Sequence, residues 1–345
     1  MSFDEVVRGT RSSVGLFDMA HRGLLEVSGE DRVRWLDGMI SGDVQALENA
    51  DSGAGCYAVL LTNKGAIIAD LHVARMGDVY YLEGLRAELP RIRETLERYV
   101  IADDVRLEDR SSEFVALGLE GPKALEVLRQ ATKGAIADLE PESWVESTIA
   151  DRSVLVAAFG FSGEIGFQLR FASDDREAVE RGLVAAAGGN SLVRGGFEAL
   201  EILRVEAGIP ALGAELDEEV LPSEARLEHA ISISKGCYVG QEIVARLRAR
   251  GQVNHLLVGL RLGSEDLPEV GTELMADGRV TGELTSVARS PSEGPIALGY
   301  VRRKHAEPGT SIEILGVEAQ VSALPFVDGL PVAGTTEATP PDGVN

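Results

Sequence analysis

A chain of 345 residues exceeds one comfortable core and is expected to divide into two or three domains, with no need of a metal or disulfide staple. A net charge of −23, from 33 Lys plus Arg against 56 Asp plus Glu, excludes general affinity for nucleic-acid phosphates or anionic membranes. Two cysteines are too few for a disulfide framework, the opening MSFDEVVRGTRSS lacks a basic segment followed by an apolar core, and no run approaches the ~20 apolar residues of a membrane span, so the cytoplasm is the expected location.

Along the chain, Leu24 to Val27 predicts a strand, and Ser28-Gly29-Glu30-Asp31 opens a helix with Val33, Leu36 and Ile40 at helical spacing. Runs at 57–61, 67–73 and 79–82, separated by Asn63-Lys64-Gly65 and Met76-Gly77-Asp78, predict antiparallel strands joined by hairpin turns. Leu89, Ile92, Leu96 and Tyr99 share one face of an amphipathic helix over 88–100, expected to lie on that sheet. A strand–helix unit follows at 114–119 and 124–128, then strands at 154–159 and 167–171 and helices at 177–187 and 197–207. From Leu256 helical periodicity gives way to short strands at 256–262, 280–287, 296–301 and 311–314, which predict a small β-barrel or sandwich. The tail after residue 330, rich in Pro, Thr, Gly and Glu, is expected to be disordered. The fold class is α+β.

The chemistry is expected in Lys235-Gly236-Cys237-Tyr238-Val239-Gly240-Gln241-Glu242, where two glycines flank a Cys-Tyr pair and a helix candidate follows. Lys235 and the positive end of that helix would both favour a Cys237 thiolate; the bland alternative is a buried cysteine acting as a small hydrophobe. One cysteine cannot hold an iron–sulfur cluster alone. The histidines His21, His72, His229, His255 and His305 show no metal-ligand spacing, so no metal site is expected.

The octapeptide, with Arg246, Arg250, Gly251 and Asn254 behind it, resembles the signature of the YgfZ family, the folate-binding relatives of the glycine-cleavage T-protein. Similar blocks recur at Ser13-Val14-Gly15-Leu16-Phe17-Asp18, Leu203-Arg204-Val205-Glu206-Ala207-Gly208, Leu221-Pro222-Ser223-Glu224-Ala225 and Gly282-Glu283-Leu284-Thr285-Ser286. The resemblance implies a three-domain T-protein-like ring around a folate cavity: a discontinuous first α+β domain (1–26 with 151–245), a second (27–150), a C-terminal β-barrel (246–330) and a tail (331–345).

It also implies tetrahydrofolate as cofactor, with Tyr57, Asp70, Gln168, Arg204 and Glu206 as binding residues. Three places depart from the T-protein pattern: Ala69 stands for the first of two strand acids, Gln168 for a pterin-facing carboxylate, and Ala199-Leu200-Glu201 where an Arg-Asp pair is expected. The first reading is therefore a folate-binding accessory factor for iron–sulfur client enzymes, with Cys237 as functional thiol. The second is a tetrahydrofolate-dependent aminomethyltransferase or demethylase in which Asp70 orients or deprotonates the amine. A folate-binding scaffold without chemistry is the third.

Overall fold

The computed structural model describes residues 1–136, 139–188, 192–251 and 253–330, so the expected tail lies outside the described residues. Three sheets organise the chain. A six-stranded mixed sheet runs in the order Leu192–Gly195, Val14–Asp18, Val115–Glu120, Gly166–Phe171, Arg152–Ala157, Trp144–Ile149. A five-stranded antiparallel sheet runs Gly55–Leu61, Ile67–Met76, Val79–Leu85, Arg22–Ser28, Arg106–Asp109. The third is a closed barrel of six strands between His255 and Ser322. The α+β class and the C-terminal barrel are as expected.

Period-two alternation gives the first sheet two apolar faces. Val14 and Leu16 enter a core with helices Ala124–Ala131 and Arg176–Ala186, while Phe17 and Met19 pack with Val6, Leu200 and Leu203 of helices Phe3–Ser12 and Phe197–Ala207. The five-stranded sheet is covered on one face by Trp35, Leu36, Ile40, Leu89, Ile92 and Leu96, which occupy successive turns of its helices.

Several elements escape the periodicity argument. Helix Phe3–Ser12 has a capping box, Ser2 receiving the Glu5 amide and Glu5 receiving the Ser2 amide, and Ser-x-x-Glu is its sequence signal. The strands Arg106–Asp109, Trp144–Ile149 and Leu192–Gly195 are only four to six residues long, too short for a clear alternation, and are held by pairing with their neighbours.

The pairings do not follow the expected division at residue 150. Trp144–Ile149 and Arg152–Ala157 form one hairpin, closed by Ala150 and Asp151 at φ +50° and +60°, the twist a two-residue hairpin turn requires. Val115–Glu120 pairs in the same sheet with Val14–Asp18, whereas Arg22–Ser28 pairs in the five-stranded sheet. Position 246 falls inside helix Gln241–Arg250, and the barrel's first strand starts at His255. Among the described residues no helix is long and apolar enough to cross a membrane.

Candidate functional site

A cavity of about 680 Å³ opens between the five-stranded sheet, the loops 141–142 and 160–163, helix Phe197–Ala207 and the following loop to residue 214. Its floor is set by a bulge: Leu60 faces Ala69 but Leu61 faces Ile67, so Ile68 is an extra residue in its strand. From there Ala69, Leu71 and Val73 point into the helix-covered core, and Asp70 and His72 point into the cavity. A carboxylate at position 69 would enter the apolar core, so Ala69 removes no charge from the cavity.

Asp70 is the buried acid of that floor. Its Oδ2 accepts from the Tyr57 hydroxyl at 3.1 Å, and its Oδ1 is buried without a partner. Burial and the neighbouring Asp70 push the Tyr57 hydroxyl well above its ordinary range, so it remains a donor. Tyr57 stacks on His229 (centroids 5.5 Å, 15°) and tilts against His72, whose other side lies on Phe159 at 3.6 Å. Two of the histidines that sequence spacing left scattered, His72 and His229, are thus brought by the fold against Tyr57 as flat walls. His229 is held below its usual range by burial, which favours the neutral ring.

Glu142 went unnoticed in the sequence. It sits at φ +64°, sparsely populated for a non-glycine residue, and its Oε2 meets His72 Nδ1 at 2.8 Å across the domain junction. Glu120 is the second missed acid. Its carboxylate receives the Phe161 and Ser162 amides and the Ser162 hydroxyl (2.7 Å), and burial pushes it up. Gly160 and Gly166 leave the space it fills: a Cβ on either would come within 2.5 and 2.9 Å of its Oε2. Glu120 therefore shapes the loop that presents Phe161 to the cavity.

The remaining expected folate contacts separate. Gln168 lies behind that loop, donating weakly to Glu120 and the Phe159 carbonyl, with its Oε1 buried and unpartnered. Arg204 reaches the cavity wall, but Glu201, Glu215, Ser286 and the Ile209 carbonyl take its donors, and through Ser286 it ties the helix to the barrel. Glu201, standing where an Arg-Asp pair was expected, is one of its partners. Glu206 is fully buried away from the cavity, accepting from Arg11 at 2.9 and 3.0 Å and from the Ser290 hydroxyl at 2.6 Å. It is a joint between the N-terminal helix, helix Phe197–Ala207 and the barrel. Glu206→Ala leaves Arg11 without its buried partner, and chemical denaturation should show a loss of about 3 kcal/mol.

The Lys235–Glu242 segment is a clasp rather than a cavity wall. Lys235 Nζ donates to the carbonyls of Asp37 (2.5 Å), Ile40 and Gly42 and pairs with the Asp37 carboxylate. Tyr238 packs among Val59, Leu61, Ile67 and Val244. Gly240 has φ +84°, and a Cβ there would lie 2.6 Å from the Thr62 carbonyl oxygen, so the segment's second glycine permits backbone to pass the hairpin turn at 62–66. Gln241 bonds the Gly236 carbonyl, and Glu242, Arg246 and Cys237 are exposed, Cys237 outside the cavity lining. The expected pairing of Lys235 with Cys237 is replaced by this carbonyl nest. The cysteine that lines the cavity is Cys56, whose thiol burial pushes up to about 12.

Two outcomes follow for the thiols and the clasp. Lys235→Met should cost about 3 kcal/mol, three buried carbonyls losing a charged donor, while the rate of Cys237 modification changes by less than about two-fold. In Cys237→Ser, titration with a thiol reagent at pH 8 should find Cys56 almost inert, its thiolate on the order of one part in ten thousand, and its rate should rise about tenfold per pH unit.

Comparison with known proteins fits this architecture. Residues 2–235 match the GCVT N-terminal domain, and residues 256–328 the glycine cleavage T-protein C-terminal barrel domain. The aminomethyltransferase of Saccharopolyspora erythraea is 32% identical over 92% of this chain and 87% of its own, and that of Bacillus subtilis 28% over 92% and 88%. The crystal structure of glycine cleavage system aminomethyltransferase T from Bartonella henselae aligns with a TM-score of 0.83 at 25% identity, covering 94% of this chain and 90% of that one. These relatives overturn the expectation of an iron–sulfur accessory factor acting through Cys237, and iron–sulfur client enzymes find no support among them. The chain belongs to the glycine-cleavage T-protein family.

Proposed function

We propose that the protein is a tetrahydrofolate-dependent aminomethyltransferase or demethylase of the T-protein type, taking a one-carbon unit from an amine donor onto folate in the central cavity. The observation that carries this reading is Asp70 Oδ1, a buried carboxylate oxygen left unpartnered between flat ring surfaces. A pterin is flat and rich in N–H donors, so it supplies what that oxygen lacks and what those rings can stack against. Members of this family use tetrahydrofolate, whose amine nitrogens accept the carbon unit.

The chain's own groups then have separable tasks. Asp70 accepts an N–H from the ring edge or from the amine donor, while the Tyr57 hydroxyl on Oδ2 fixes the direction of Oδ1. His72, fixed through Nδ1 by Glu142, lines the cavity beside Asp70 and has no other hydrogen-bond partner among the described residues, so it adds a second polar group to the floor. Phe161, Phe197 and Leu200 keep the walls apolar. With Ala69 facing the core, the retained Asp70 leaves the acid of the cavity floor in place, which supports transfer chemistry. The Lys235–Glu242 octapeptide supports placing the chain on the YgfZ branch of the family as a sequence grouping.

The test is anaerobic calorimetry with tetrahydrofolate beside an assay for methylene-tetrahydrofolate formed from an aminomethyl donor. Asp70→Asn should weaken folate binding roughly 10- to 100-fold, the range of one buried charged hydrogen bond, and abolish transfer. Wild-type protein that neither binds tetrahydrofolate nor forms the product would sink the reading.

A further inference from the structure

Among the described residues, the guanidinium of Arg22 is a second polar group of the cavity, beside Asp70, whose partners do not account for it. Arg22 is only 8% exposed, yet it lines the cavity. Its Nε donates to Glu83 Oε1 at 3.1 Å; its Nη2 is buried with no partner, and its Nη1 makes no hydrogen bond among the described residues. The terminal fork is therefore open. Phe161 lies under the guanidinium at 4.8 Å, holding its plane.

Charge in this cluster does not balance. Glu83, fully buried, is the shared partner of Arg22 and Arg170, the latter at 2.5 Å. Burial alone would raise the Glu83 pKa, but Arg170 and Arg22 hold it below the usual range, so it carries its charge. Two guanidiniums against one carboxylate leave this local cluster one positive charge in excess, with Asp70 the other acid of the floor. His21 beside it adds none: burial and Arg22 hold that imidazole below its usual range. A buried guanidinium whose terminal N–H groups are free is matched by a carboxylate in bidentate contact.

Register places the fork relative to Asp70. Arg22 faces Leu85, and both lie on the cavity side of adjacent strands, with Asp70 on the strand beyond in the same row. Two strand spacings put their backbones roughly 10 Å apart. The floor therefore carries an acceptor for N–H at one end and an acceptor-seeking cation at the other.

We infer that Arg22 forms a carboxylate subsite in the cavity, binding the acid group of a ligand whose amine or ring N–H engages Asp70. This rests on the folate reading for the ligand's class but not for the subsite's existence. The carboxylate has two possible sources, the glutamate tail of tetrahydrofolate or an amino-acid carbon donor.

Calorimetry distinguishes them, using wild type, Arg22→Gln and Arg22→Lys with four probes: tetrahydrofolate, 6-methyltetrahydropterin (no carboxylate), p-aminobenzoylglutamate and N-methylglycine. Arg22→Gln should weaken one class of carboxylate probe by roughly 10- to 100-fold while leaving 6-methyltetrahydropterin within about two-fold. Loss confined to tetrahydrofolate and p-aminobenzoylglutamate assigns the folate tail; loss confined to N-methylglycine assigns the donor. Arg22→Lys keeps the charge toward Glu83 but not the fork, so it should show a smaller loss of the same pattern, and it reads the subsite even where Arg22→Gln fails to fold. Equal weakening of all probes, or none, overturns the subsite. Failure of both pterins to bind wild type while a carboxylate probe still binds through Arg22 would sink the folate reading alone; tetrahydrofolate held equally by wild type and Arg22→Gln, with neither p-aminobenzoylglutamate nor N-methylglycine binding at millimolar concentration, would overturn the subsite alone.

Discussion

The strand Ile67–Met76 carries two incompatible surfaces, and the rest of the site depends on keeping them apart. One face buries Ala69, Leu71 and Val73 under three helices; the other offers Asp70 and His72 to a cavity. A one-residue slip would drive a carboxylate and an imidazole into an apolar core at a cost of several kcal/mol each. The extra residue Ile68 pins the register, because it lets Ile67 join the apolar cluster beneath the clasp while Asp70 still faces inward.

Around that strand the chain spends charged side chains on joints. Arg11 with Glu206 and Ser290, and Arg204 with Glu215 and Ser286, each bind a helix to the barrel from the inside. Such buried pairs cost desolvation and offer weak net stability, but a missing partner is severely penalised, so they fix how the units meet. This explains why the L-R-V-E-A-G block, which looks like a ligand-contacting segment, works mainly as a connector. The cavity is left with the polar groups that the joints do not consume: Asp70, the Glu142–His72 pair and the Arg22 fork.

The clasp shows the same economy. Lys235 neutralises a cluster of helix-end carbonyls, Tyr238 seals an apolar cluster and Gly240 lets the backbone pass a hairpin turn. A segment of such specific composition reads in sequence as a reactive centre, since glycines beside a cysteine suggest exposure of a nucleophile. Its lysine and tyrosine are occupied by packing, and Cys237 is carried outside the cavity.

What the sequence determined by itself was whatever repeats locally: the strands at 57–61 and 67–73, the amphipathic helices and the barrel after Leu256. Hydrophobic period is written residue by residue, so it survives without knowledge of the fold. Tertiary structure decided the rest. Glu120, Glu142 and Arg22 stand in no motif, and their roles come from strands and loops that are distant in sequence meeting at one cavity; likewise the meaning of Ala69, Glu206 and Lys235 changed with what each faced. Which side of a strand a residue occupies, and which partner uses up its charge, are properties of packing, and no local pattern encodes them.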